Sequence, residues 1–298
     1  MVNAFLDRVA GAPCSWGICE QPGWGFNLPA ARVLDELTSV GLHAIELGDD
    51  GFFPDSDVET RALLDSYGVR MLGGFVSIQL HDPSRRAEMV AETERMARRL
   101  SGTGATYFVS AAVMDYDWRA PVPLDAGGFA DLARGIAAVD EICAEYGLTQ
   151  VLHPHLGTMV ETKRDIEMTL AATDVKWVLD TGHMAIGGTD PVWFAQEYAD
   201  RVGLVHLKDV RMDVGRRRLA GEITTREGVE LGLFPPLGQG DVPLKETVLA
   251  MEARGYAGWY VHEQDSAIDV EPALGRGPVE DLQQSLDFLL ADVVPALG

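Results

Sequence analysis

The sequence predicts an α/β fold built as one (β/α)₈ barrel, and three observations carry that prediction. Eight short apolar, β-branched runs alternate with eight amphipathic stretches along 298 residues. Each run leads into a helical pattern before the next run, the order that builds a parallel sheet. The last four runs each end in a polar cluster rich in His, Asp, Glu or Lys, where a barrel opens its mouth. Length alone would allow two domains, but α/β barrels commonly run this long as one unit, so a single domain over 1–298 is expected.

The elements follow in order. The first run, 9–16, precedes a helical pattern near 28–40, closed by Gly41. The second, 44–47, precedes 57–68, closed by Gly68. After the third run, 70–77, Asp82-Pro83 signals a helix start and a pattern over 83–101. The fourth, 105–110, precedes 126–146, and Gly147 stops that helix. The fifth, 149–153, leads to 161–173, and the sixth, 176–180, to a helix over 190–200 opened by Asp190-Pro191. The seventh, 202–206, leads to 243–254 and Gly255; the eighth, 259–263, leads to 278–294. Residues 210–240, between the seventh strand and its helix, are too long for an ordinary loop. They carry Arg216-Arg217-Arg218 and run out through Pro235-Pro236-Leu237-Gly238-Gln239-Gly240-Asp241. They are expected either to lie over the mouth as a lid or to stand as a solvated excursion.

Bulk properties exclude several classes. A formal charge of −22 repels phosphate backbones and anionic lipid, so nucleic-acid and membrane partners are not expected. It suits divalent cations and a neutral polar substrate. No apolar stretch is long enough to cross a bilayer, and no basic-then-apolar leader opens the chain. Cys14, Cys19 and Cys143 are an odd count with no CxxC pair, which argues against a disulfide framework or a thiolate zinc site and for a cytoplasmic setting. Cys14, near a strand end, is read either as a small packing residue or as a group that reaches the site. Trp193-Phe194, at a helix end, is read either as a homo-oligomer contact or as local packing.

The chemistry gathers at His153-Pro154-His155, Asp180-Thr181-Gly182-His183, His206-Leu207-Lys208-Asp209 and Glu263-Gln264-Asp265. Side chains alternate along a strand, so His153 and His155 share a face, as do His206 and Lys208, and Glu263 and Asp265. His262 falls on the opposite face and is excluded as a ligand. The candidate metal ligands are His153, Asp180, His206 and Glu263, with His183 a turn later at the rim. Two carboxylates and two imidazoles without a thiolate suit Mn²⁺, Co²⁺, Fe²⁺ or Zn²⁺ better than Ca²⁺ or Mg²⁺. Lys208 is read either as a general acid/base with a lowered pKa beside a cation, or as a group held in a salt bridge to a barrel carboxylate such as Asp209 or Glu46. Glu46, ending the second strand, is a further acid/base candidate, and Glu263 a ligand that could double as a base. His183 and His155 are candidates for gripping substrate hydroxyls, with His183 also a candidate acid. Trp16 and Phe75 are candidates for the pocket floor.

At these residues the chain resembles the sugar isomerase/epimerase superfamily with the xylose isomerase-like TIM barrel. The resemblance implies ligands at the ends of strands five to eight, usually Glu, Asp, His and Glu. Asp180, His206 and Glu263 match that order, and Asp180-Thr181-Gly182-His183 matches its Asp-x-x-His element. The resemblance covers most of the chain and is strongest from His153 onward. Within the superfamily the inosose dehydratases are the most similar branch. The strings that carry this are His153-Pro154-His155-Leu156-Gly157-Thr158, Tyr198-Ala199-Asp200-Arg201, His206-Leu207-Lys208-Asp209-Val210-Arg211, Pro236-Leu237-Gly238-Gln239-Gly240-Asp241 and Glu263-Gln264-Asp265. Arg211 and Gln239 enter as substrate-binding candidates through these strings. Two positions depart from the pattern: His153 stands where most of the superfamily has Glu, and Gly17-Ile18-Cys19-Glu20 replaces an Asn-Asp-Asp-like segment after Trp16.

The resemblance implies Mn²⁺ or Co²⁺ and a lyase that dehydrates a cyclic polyhydroxy ketone, 2-keto-myo-inositol, through a metal-stabilised enediolate. The alternative is a metal-dependent isomerase or 3-epimerase of a ketose or keto acid. From another class comes a non-catalytic sugar-binding barrel. An endonuclease on the same barrel would need a basic face, and the acidic balance opposes it.

Overall fold

A computed structural model describes residues 5–19 and 24–297; Glu20 lies outside them. All strand pairs are parallel and close into a ring. In chain order the strands are β1 (Val9–Gly11), β2 (Ala44–Ile45), β3 in two pieces (Arg70–Met71 and Gly73–Ile78), β4 (Tyr107–Ala112), β5 (Thr149–Leu152), β6 (Lys176–Asp180), β7 (Val202–Leu207) and β8 (Tyr260–His262). The ring closes where β1 pairs with β8, Val9 opposite Tyr260 and Gly11 opposite His262. Leu72 divides β3 because its two pieces serve different neighbours: Arg70 lies opposite Ala44, and Gly73 opposite Tyr107. The first strand is shorter than the apolar run. Pro13 has no N–H to give a ladder, and Pro13–Trp16 coil into a 3₁₀ turn.

The helices are α1 (Ala30–Ser39), α2 (Asp57–Tyr67), α3 (Arg86–Thr103), α4 (Ala126–Glu145), α5 (Lys163–Ala172), α6 (Thr181–Ile186), α7 (Pro191–Tyr198), α8 (Met212–Leu219), α9 (Thr225–Glu230), α10 (Leu244–Ala253) and α11 (Pro278–Phe288). Local chemistry explains several starts. Ser56, Asp125 and Asp190 accept from the first turns of α2, α4 and α7, and Thr162 with Asp165 forms a capping box on α5. Gly68 ends α2 at φ 65°, a left-handed turn that costs a side chain with a Cβ about 1 kcal/mol or more. Asp82-Pro83 opens a 3₁₀ turn, so α3 begins at Arg86, later than the pattern suggests.

Residues 210–240 are not a plain loop. They hold α8 and α9, the second opened by a capping box of Thr224 and Glu227 that is visible in the sequence as Thr-x-x-Glu. Trp193 and Phe194 pack locally: Phe194 is fully buried against Trp177 and Tyr198, and the Lys163 ammonium sits over Trp193. No helix among the described residues is long and apolar enough to cross a membrane.

The barrel interior explains where polar chemistry can exist. Its lower layer is an apolar plug of Ala10, Ala44, Leu72, Val109, Val151, Val178, Leu204 and Val261, one residue from each strand. Moving two residues along five of those strands reaches Glu46, His153, Asp180, His206 and Glu263. The ladder extends past the strand ends to fix several of them: Glu46 N–H donates to Gly11 O (3.2 Å), His153 to Ser110 O (2.8 Å) and Glu263 to Leu207 O (3.1 Å).

Candidate metal centre and substrate cavity

His153 Nε2, Asp180 Oδ2, His206 Nδ1 and Glu263 Oε2 stand nearest one another at the mouth. Ligand atoms of these four buried residues all lie within 4.8 Å of one another. Asp180 and His206 are direct register partners on β6 and β7, which brings them side by side. His153 Nε2 is 3.6 Å from Asp180 Oδ2 and 3.1 Å from His206 Nδ1. Glu263 Oε2 touches His206 Nδ1. Asp180 divides its labour: Oδ1 accepts the His183 backbone N–H at 2.7 Å and caps α6, while Oδ2 is buried without a hydrogen bond. A buried carboxylate oxygen with no donor costs several kcal/mol unless a cation meets it. The donor set therefore fits a divalent ion of the borderline class, with two nitrogen and two oxygen ligands.

Charge on the surrounding groups follows from contact. Burial alone would push the His206 imidazole down, but Glu263 at Nδ1 and Glu46 at Nε2 (3.3 Å) hold it well above its ordinary value. These two carboxylates favour the imidazolium form, which donates from both nitrogens. An ion taking Nδ1 must expel that proton. Metal binding is expected to release about one proton at neutral pH and to weaken about tenfold per unit as pH falls. Calorimetry in buffers of different ionisation enthalpy reads that proton directly. Glu46 receives the Nε2–H and so aims Nδ1 inward. Glu46→Ala is expected to lower Co²⁺ affinity about 10–100-fold in a titration, without unfolding the barrel.

Lys208 is completely buried. Its Nζ donates to Asp265 Oδ2 (2.6 Å), Glu263 Oε1 (3.0 Å) and His183 Nε2 (3.0 Å). The salt bridge to a barrel carboxylate is present, with Glu263 and Asp265 as the partners and not Asp209 or Glu46. Burial pulls the ammonium down, yet Asp265, Glu263 and Asp180 hold it well above the ordinary lysine value. Asp209 instead accepts four backbone N–H groups, from Val210, Gly238, Gly240 and Val242, and ties down the turn before α10.

His183 is on α6 and buried, not at the rim. Burial, with His155 and Lys208 beside it, keeps its imidazole well below the ordinary value and neutral. Because Nε2 accepts from Lys208, the proton sits on Nδ1, which has no partner. His155 is neutral for similar reasons, burial first and then His153 and Lys208, and its Nδ1–H donates to Leu156 O at 2.8 Å. The His155 and His183 rings lie 4.0 Å apart.

Above the cluster opens a cavity of about 260 Å³, its wall including Cys14, Trp24, Glu46, Phe75, His155, His183, His206, Glu263 and Asp265. Trp16, expected at its floor, points the other way: it is fully buried and its indole donates to Glu36 of α1 at 2.9 Å. Arg211 is exposed beside Gly232, and the Gln239 amide is bonded to Gln284 of α11 at 2.9 Å; neither reaches the cavity wall. His262, on the outer face, lies between Ser15 and Ser285, and burial takes it down to about 4. The alternation that places Glu263 inward also places Asp265 there, where it pairs with Lys208. Trp24 carried no sequence signal; it reaches the wall because its indole donates to Ser266 O at 2.7 Å.

With this arrangement in view, comparison with known proteins is informative. The xylose isomerase-like TIM barrel family matches residues 34–291. The chain belongs to that family. Inosose dehydratase of Geobacillus kaustophilus (strain HTA426) is 33% identical over 304 residues, covering 97% of each chain. Among solved structures, the probable 3-DHS dehydratase AsbF from Bacillus anthracis superposes with a TM-score of 0.73 at 15% identity, covering 96% of this chain and 99% of that one. The IOLI protein with a bound zinc atom gives 0.71 at 15% identity, covering 98% and 99%. The last two likenesses speak to the fold. The whole-length relative, together with the family, makes this chain an inosose dehydratase-like enzyme of the superfamily.

Proposed function

We propose that the protein is a metal-dependent lyase that removes water from a cyclic polyhydroxy ketone of the inosose type. The observation that carries this reading is the convergence of His153, Asp180, His206 and Glu263 beneath a cavity that bears a second set of proton-handling groups. The similarity to inosose dehydratase supports the substrate class. A divalent ion held by those four residues, Mn²⁺ or Co²⁺ in this reading, would polarise the ketone and stabilise the negative charge left when the α-proton departs.

The chain's own groups supply the rest. Glu46 is on the cavity wall, and only its Oε1 is engaged by His206. This supports Glu46 as the base for the α-proton, with Glu263 committed to the ion on one side and to Lys208 on the other. His183 offers Nδ1–H for the departing β-hydroxyl, and Lys208 can return a proton at Nε2, so the imidazole never has to carry charge. His155 and Phe75 stand together on the cavity wall and would grip the ring by one polar and one apolar face. A cytoplasmic setting agrees with Cys14 and Cys143, which are in no disulfide.

The test strips metal with chelator and adds scyllo-inosose with and without Mn²⁺ or Co²⁺. Metal-dependent loss of water, seen by mass and by ultraviolet absorbance of the dione, is the expected result. A product of equal mass would make the protein an isomerase or 3-epimerase. Tight binding of polyol with no turnover under any metal would make it a sugar-binding barrel.

A further inference from the structure

We infer that the Lys208 ammonium occupies the second cation position of a two-cation site, so that the protein holds one divalent ion and not two. The inference rests on the metal reading above and concerns what stands beside that ion. Glu263 faces two ways: Oε2 belongs to the four-residue cluster, and Oε1 accepts from Lys208 Nζ at 3.0 Å. A carboxylate that gives one oxygen to each of two neighbouring positive centres has the layout of a bridge in a two-metal site, where the ions stand about 3.5–4 Å apart.

The second position also has a ligand set of its own. Cys14, Glu263 and Asp265 bring one thiol and two carboxylates within 4.8 Å of one another. Lys208 lies among them with each of its three protons matched to an acceptor: Asp265 Oδ2, Glu263 Oε1 and His183 Nε2. The Phe234 ring covers the ammonium from another side at 4.8 Å. No solvent reaches this side chain, so it cannot swing away to admit an ion as a surface lysine would. Two positive centres so close repel strongly where the dielectric is low, and a dication would have to displace the ammonium to enter. The ammonium neutralises part of the excess carboxylate charge of Glu46, Asp180, Glu263 and Asp265 with a group that is tethered to the chain and cannot leave the site as a free ion can. It thereby acts as a positioning residue: it fixes the orientation of Glu263 for the ion and leaves that ion alone in the site.

The experiment dialyses metal-free protein against Co²⁺ and measures bound cobalt and the near-ultraviolet sulfur-to-cobalt charge-transfer band. Wild type is expected to hold one ion per chain with no sulfur band. Lys208→Met is expected to hold two and to show the band, which Cys14→Ser in the same background removes. Lys208→Arg, which keeps the charge, stays at one. If Lys208→Met does not fold, Lys208→Gln is read in the same way. Two ions or a sulfur band in wild type would overturn the inference and leave the metal reading intact, as would a single ion in the neutral variants. No bound ion in wild type would overturn the metal reading itself.

Discussion

Asp180→Asn is expected to cost at least about 100-fold in metal affinity and about 10³-fold in metal-dependent turnover, while leaving the fold intact. The separation is possible because the two oxygens of Asp180 do different work. Oδ1 caps α6 through the His183 N–H, and an asparagine carbonyl accepts that bond nearly as well. Oδ2 is the buried, unbonded atom aimed at the cluster, and the substitution replaces it with an NH₂ that cannot ligate. Loss of an outer partner alone costs about 10–100-fold in affinity, so loss of a ligand should exceed that range. The rate follows from several kcal/mol of charge stabilisation that the ion would supply. Circular dichroism and thermal melting should match wild type without metal, while Co²⁺ uptake and dehydration disappear together. Wild-type turnover in this variant would remove the metal from the mechanism.

The second large effect is on stability. Asp209→Ala is expected to lower the free energy of unfolding by about 4 kcal/mol. The carboxylate takes hydrogen bonds from Val210 (2.8 Å), Gly238 (2.8 Å), Gly240 (2.8 Å) and Val242 (3.1 Å). Alanine would strand all four donors, two of them in buried backbone, and each buried orphan costs about 1–3 kcal/mol before water relieves part of it. Urea unfolding should show a lower midpoint at an unchanged slope. A loss below about 1 kcal/mol would mean that the 238–242 turn is held by its own contacts and not by Asp209.

These two aspartates show different degrees of legibility. Asp180 could be assigned from its place at the end of an apolar run, because an inward side chain at a strand's C-terminal end has only the barrel mouth to enter. Asp209 sits one residue after Lys208, within the same polar cluster, yet three of its four partners are backbone groups 29 to 33 residues away. Nothing in its neighbours' identity announces them except the glycines at 238 and 240. Gly240 admits the carboxylate because a Cβ there would sit 2.3 Å from Asp209 Oδ1.

The eight-unit barrel, the alternating faces of its strands and the inward set of His153, Asp180, His206 and Glu263 were determined by the sequence itself. These properties are local: the pleat forces a period of two, and an apolar run needs both faces buried. The helical content of 210–240 was also local, present as the Thr224–Glu227 capping box but masked by the arginine run and the following glycines. Only the tertiary structure decided what stands opposite each side chain. Glu46 meets His206 across 160 residues because the barrel closes, and Lys208 meets Asp265 instead of Asp209 because β7 and β8 lie side by side. Trp16, Arg211 and Gln239 lie beyond the regular strands, where no period fixes direction; partners in α1 and α11 turn Trp16 and Gln239 away from the cavity, and Arg211 is exposed. Strand periodicity sets the direction of a side chain; ring closure sets its company, and the company determines whether it carries charge, holds an ion or packs.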